Sequence, residues 1–248
     1  MHRDELARVL DGLLEPSRFK DYCPNGLQVE GRPHIRLVAS GVSANLEFLR
    51  AAQTQGADAV LVHHGYFWRD EDMRITGNRR ARIGFLLETG INLFAYHLPL
   101  DAHMELGNNA QLALRLDLVE SGRTGEQGLL CFGEPRVPLT LAEFAGRVER
   151  TLGRPPLAIG APDRVLSRMA WCTGGAQGYF NEAIRLGVDA FVTGEISEQH
   201  VHLAHETGVA FIAAGHHATE RYGVQAVGDH LAARFGLEHC FIDIPNPV

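Results

Sequence analysis

One pattern is written twice in this chain, and it narrows the folds open to it. The largely apolar run Ile91–Ala95 leads into His97, with Asp101 four residues on; Val209–Ala214 leads into His216, with Glu220 four residues on. The two histidines and the two carboxylates are each separated by 119 residues (216 − 97 and 220 − 101). Apolar runs of this kind read as strands covered on both faces, as in parallel sheets flanked by helices. Packing alone gives no reason for a His and a carboxylate to recur at the same distance beyond each run. The repetition predicts two related α/β halves, each carrying polar chemistry at the carboxyl end of a strand.

The rest of the chain fits that frame. Leu6, Val9, Leu10, Leu13 and Leu14 recur at helical spacing, and Pro24-Asn25-Gly26 is turn chemistry ahead of a short strand at Leu27–Val29. Residues 36–42 read as a strand, Ser43-Ala44-Asn45 offers caps for a helix ending near Gly56, and 57–62 is a second strand running into His63-His64. Strand, helix and strand over so short a stretch form a βαβ unit with parallel strands. Residues 69–80 read as a polar loop before a helix at 81–89, and Ser121–Gly128 as the best linker in the chain. A strand at 129–132 and a helix at 140–152 follow. The first half then repeats: Val188–Glu195 matches Ala57–His64, and His230–Leu237 matches Gln111–Leu118. The expected architecture is α/β, with duplicated three-layer α/β/α repeats facing each other across a metal-containing cleft. The halves fall at 1–120 and 121–248, with room for the C-terminal segment to pack on the first. Phe241–Pro245 reads as one more short strand.

In α/β sheets functional groups gather beyond the carboxyl ends of strands. Four such ends carry His63-His64, His97 with Asp101, Glu195, and His216 with Glu220. Imidazole with carboxylate suits a borderline divalent ion such as zinc, manganese, iron or nickel. There are more ligand groups than one ion needs, and two ions about 3.5–4 Å apart would use them. Adjacent strand residues point to opposite faces. His63 and His64 therefore reach one site only if the backbone turns there, as Gly65 permits, or if they serve different ions. Glu195, His103 and His217 are weaker pocket candidates. His200, His202 and His205 read as a solvated helix face, and Phe67 and Trp68 as core or as a stacking surface.

Other functions are disfavoured. A net charge of −7 does not suit an extended nucleic-acid surface. Cys23, Cys131, Cys172 and Cys240 form no Cys-x-x-Cys pair, which disfavours a thiolate zinc site and suits a reducing compartment. The charged N-terminus lacks the apolar core of a signal peptide, and no apolar run approaches the roughly 20 residues of a membrane span. A cytoplasmic protein is expected.

At His63-His64-Gly65, His97–Asp101 and Gly215–Glu220 the chain resembles the Nif-three-like family, whose members are also described as homologues of type-2 GTP cyclohydrolase I. Pro24–Gly31, Thr193-Gly194-Glu195 and Ile244–Pro247 are similar to it as well, so the resemblance spans essentially the whole chain in its short bacterial form. It implies a duplicated α/β/α fold, two divalent metal ions per chain and a toroidal homohexamer. It implies His63, His64, Asp101, His216 and Glu220 as ligands, with His97 close to the metals. Leu98-Pro99 stands where many members have Thr-Asn, so no substrate role carries over to those two side chains. The expected function is a metal-dependent hydrolase of a nucleotide or similar small anion, with GTP ring opening by attack at guanine C8 as its concrete form. His97 is the candidate proton shuttle, imidazole being the side chain most often used to carry protons in catalysis. The alternatives are a metal-binding or metal-delivery protein, or an oligomeric scaffold with structural metals.

Overall fold

The computed structural model describes residues 1–248, which divide into two compact units. Unit one comprises Met1–Gly107 and Gly223–Pro245; unit two comprises Asn108–Tyr222 and Asn246–Val248.

Unit one is built on a five-stranded sheet in the order Gly26–Val29, Asn92–Ala95, Ala59–His64, Leu37–Ser43, Glu238–Phe241. The last four are parallel to one another, and Gly26–Val29 runs antiparallel at one edge. The expected βαβ unit is present. Asn45 caps the helix Leu46–Thr54, its side chain accepting from the Phe48 amide at 2.8 Å, and the chain returns as Ala59–His64. Side-chain alternation divides the apolar strand residues between two cores. Leu37, Ala39, Val60, Val62, Leu93 and Ala95 pack with Phe48 and Leu49 and with Ile83 and Leu86 of the helix Gly77–Thr89. On the other face, Val38, Ala59, Leu61, Phe94 and Tyr96 meet Leu6, Leu10 and Leu14 of the first helix, Arg3–Leu14. Val224, Val227 and Leu231 of the helix Arg221–Phe235 join them there.

Unit two carries a six-stranded sheet in the order Leu118–Thr124, Leu130–Pro135, Met169–Trp171, Ala190–Thr193, Ala210–Ala213, Leu157–Ile159. Its middle strands, 169–171, 190–193 and 210–213, are parallel, and antiparallel strands flank them. One face packs Met169, Trp171, Val192 and Ile212 against Leu141, Phe144 and Val148 of the helix Leu141–Leu152. That helix opens with the expected Thr140 cap, completed by Glu143. The other face holds an aromatic cluster, with Phe180 4.8 Å from Phe211 edge to face and 6.0 Å from Phe191 in a stack.

The repeat extends to hydrogen bonds. Asp58 accepts from the Arg36 amide at 2.9 Å and the Leu37 amide at 3.1 Å, and pairs with Arg32 at 3.0 Å. Asp189 accepts from the Ser167 and Arg168 amides, each at 2.9 Å, and pairs with Arg164 at 3.0 Å. Each aspartate begins one parallel strand and ties down the start of its neighbour.

Several expectations need correction. Ser121–Gly128 is no linker: residues up to Thr124 belong to the edge strand Leu118–Thr124, paired with Leu130–Pro135. Gly122 lies where the Phe132 ring comes too close for a Cβ, so the glycine serves packing. The last strand is Glu238–Phe241, earlier than expected, and it pairs in parallel with Leu37–Ser43 in the unit-one sheet. The helix expected at 81–89 begins at Gly77.

Candidate metal centre

In unit one, the strand Ala59–His64 ends at the paired histidines, and the rings of His63 and His64 have centroids 4.6 Å apart. Gly65 follows where a Cβ would overlap Gln28, whose Oε1 accepts from the Tyr66 amide at 2.7 Å. The neighbouring strand leads into His97, the first residue before the short helix Leu98–Ala102. One ligand atom from each of His63, His64 and His97 lies within 4.8 Å of the others. Asp101, on that short helix and 8% exposed, places Oδ1 3.5 Å from His63 Nε2.

Each imidazole here is held by its Nδ1. His63 Nδ1 lies 3.0 Å from the Tyr96 carbonyl, which can only accept, so Nδ1 donates and Nε2 is the atom presented. His97 Nδ1 donates to Asp21 Oδ1 at 2.7 Å. His64 Nδ1 meets the Ser43 hydroxyl at 3.1 Å. Metal-ligating histidines are commonly fixed this way through their second nitrogen. Asp21 also accepts from the Leu98 amide at 2.9 Å, and Asn25 accepts from the His97 amide at 2.7 Å. Burial would raise the Asp21 pKa, but the bonds from His97 and Asn25 outweigh it and hold the carboxyl below its usual range. Burial, with Asp21 nearby, pushes the Cys23 thiol up to about 12.

In unit two the strand Ala210–Ala213 leads through Gly215, at φ 101°, into the helical turn His216–Thr219. The turn sets His216 Nε2 3.2 Å from Glu220 Oε2, and His216 Nδ1 donates to Glu195 Oε1 at 2.6 Å. Burial disfavours charge on His216, yet Glu220 and then Glu195 raise its pKa to about 9. Two carboxylates flanking one imidazole make a place that favours positive charge, which suits a divalent cation. Gly174, at φ 69°, gives Glu220 its room, since a Cβ there would overlap that carboxylate, and the Gly174 amide donates to Thr219 Oγ1 at 3.0 Å. Unit one thus gathers His63, His64, His97 and Asp101, and unit two gathers Glu195, His216 and Glu220. The donors fit borderline divalent ions, with the imidazoles pre-oriented.

His103 Nδ1 accepts from the Glu105 and Leu106 amides at 3.2 and 3.0 Å, shaping the turn after Asp101. The His217 amide donates to the Val248 carbonyl at 3.0 Å. His200 departs from the solvated reading: it is 6% exposed, its ring stacks on Phe211 at 5.4 Å, and its Nδ1 accepts from the Ser197 amide. His202 and His205 are exposed. Phe67 packs on the unit-one core, whereas the Trp68 ring stands edge-on to His97 at 4.9 Å. A Ser40–His239–Asp229 chain, with both contacts at 2.8 Å, has triad chemistry. Ser40 is fully buried in mid-strand, so its hydroxyl cannot meet a substrate.

Comparison with protein families matches residues 1–247 to Duf34/NIF3 (NGG1p interacting factor 3). The chain belongs to this family. A Duf34/NIF3 relative from Pseudomonas aeruginosa, named GTP cyclohydrolase 1 type 2 homolog, is 53% identical over 245 residues, 98% of this chain and 97% of its own. One of the same name from Escherichia coli K12 is 48% identical over 248 residues, the full length of both. Among solved structures, protein ybgI, described as of unknown function, superposes with a TM-score of 0.97 at 48% identity over both whole chains. A protein from Thermus thermophilus gives 0.92 at 37% identity, again over both whole chains.

Sequence reasoning missed Asp21, and took Pro24-Asn25-Gly26 as a structural turn without seeing that Asn25 holds His97. The Asn25 side chain had one signal, its place in the motif shared with the family. Asp21 had none.

Proposed function

We propose that the two ligand sets combine into one dinuclear divalent metal centre, held by His63, His64, Asp101, His216 and Glu220. In this reading the protein hydrolyses a nucleotide or similar small anion, as a type-2 GTP cyclohydrolase would. The observation that carries the reading is the oriented histidine set. In both units an imidazole at a strand end gives its Nδ1 to an oxygen acceptor and turns Nε2 toward a carboxylate from a short helical turn.

Bound there, two divalent ions would supply water at a lowered pKa and polarise the bond under attack. His97 is the proton carrier: Asp21 holds its Nδ1–H, so Nε2 takes or returns the proton. The Trp68 ring stands edge-on beside that imidazole at 4.9 Å. With GTP, one water adds at guanine C8 and opens the ring to a formamide, and a second releases formate. The homohexamer and cytoplasmic location belong to the same proposal. No helix is long and apolar enough to cross a membrane.

The test is product analysis by mass spectrometry after incubation of GTP with protein of known iron, manganese, zinc or nickel content, beside Asp101→Asn. Formate and a ring-opened nucleotide, dependent on metal and absent in the variant, are expected. Phosphate release without formate would keep the hydrolase and change the reaction. No turnover with any metal, in protein holding two ions per chain, would overturn the cyclohydrolase reading in favour of metal delivery. Light scattering reads the assembly, with six times the chain mass expected.

A further inference from the structure

Unit two carries an arginine that makes no ion pair. Arg154 follows Gly153, the left-handed residue (φ 74°) closing the helix Leu141–Leu152, and precedes Pro155-Pro156. A helix cap on one side and two fixed φ angles on the other hold its backbone in place. Its guanidinium lies against Gly215, the residue before His216, where a Cβ would overlap it. Nη1 is buried and makes no hydrogen bond. Arg164 and Arg123, by contrast, pair with Asp189 and Glu120. Buried donors without acceptors cost stability, so the unpaired Nη1 is a place where a bound acceptor would be favoured.

Arg154 also lines a cavity of about 520 Å³ lying within unit two. Leu157, Ile196 and Ala213 give it apolar walls, and Glu195 lines it too. Glu195 is the acceptor that holds His216 Nδ1 at 2.6 Å, so the cavity adjoins the unit-two ligand set. A fixed cation and a carboxylate, separated by apolar surface, match a ligand with an oxyanion at one end and N–H donors elsewhere. A guanidinium binds oxyanions through paired donors, a geometry lysine lacks.

We propose that this cavity is the substrate's oxyanion subsite, in which Arg154 holds a phosphate group while Glu195 faces the N–H edge of the attached heterocycle. This rests on the metal-centre reading for its role in turnover, but not for binding itself.

The test is calorimetric titration of the full chain, with metal content measured, using inorganic phosphate, GTP and guanosine, before and after treatment with EDTA. Arg154→Gln should weaken phosphate and GTP by at least about 10-fold and leave guanosine within twofold. Leu157→Glu supplies a second variant: the residue sits in an edge strand, 51% exposed, and the substitution brings a negative charge to the cavity wall, which repels an anion or occupies the Arg154 guanidinium in its place. It should weaken the same two ligands, and it carries the test if Arg154→Gln does not fold. Phosphate and GTP bound within twofold of wild type by both variants would overturn the inference. So would phosphate binding that EDTA abolishes and Arg154→Gln leaves intact, since the anion would then sit on the metals. Formate release is read on the same samples. Arg154-dependent binding without any formate from wild type would sink the cyclohydrolase reading and leave the subsite standing.

Discussion

His63, His97 and His216 each turn Nδ1 toward an oxygen that can only accept: a carbonyl, Asp21 and Glu195. This single-residue chemistry decides which nitrogen is offered. Partners of this kind typically affect metal affinity or activity by about 10–100-fold. Asp21→Asn keeps an oxygen near His97 but offers an amide with no negative charge. It should lower turnover or metal affinity by about that factor with the circular dichroism unchanged. A variant matching wild type in both would remove Asp21 from the mechanism. The histidines themselves were legible, because their residue type and their place after apolar runs are local properties. Asp21 was not, since it meets His97 across 76 residues and nothing in its immediate neighbours marks it.

At the level of elements, the paired aspartates beneath the strands explain why the two halves share a strand arrangement. Partial burial would raise the pKa of Asp58 and of Asp189, but two amide donors and an arginine hold each below the usual carboxylate range. A depressed folded-state pKa contributes stability that is present above the unfolded value, about 3.9, and is lost as pH falls through the folded one. Asp58→Ala should therefore cost about 2 kcal/mol at pH 7 in a denaturant melt. The variant should also lose less stability than wild type as the pH is lowered below about 4. An equal loss over that interval would show that the unfolded chain feels the same field. The strand periods and the Thr140 cap were readable from spacing. The strand Leu118–Thr124 was not: its Ser, Gly and Thr look like a linker, and only pairing with Leu130–Pro135 makes it a strand.

Across the whole molecule, a centre assembled from both ligand sets would couple metal binding to the stability of the entire chain. Ligand at 100 times its Kd stabilises by about 2.7 kcal/mol, which in a chain of this size raises Tm by roughly 5–10 °C. EDTA should lower the Tm of metal-loaded protein by that amount, and Asp101→Asn and Glu220→Gln should each lose more than one ion per chain. If each variant keeps one ion, the two sets act separately. The sequence by itself determined the α/β class, the duplication and the chemical type of the candidate ligands, because apolar periodicity and residue spacing are written along the chain. The tertiary structure alone decided the rest. It set which imidazole nitrogen is presented, assigned Glu195 and Asp21 as anchors, returned the last strand to unit one and left Arg154 without a carboxylate. Those outcomes depend on side chains that are distant in sequence and meet only once the sheets are packed, and no local pattern records such meetings.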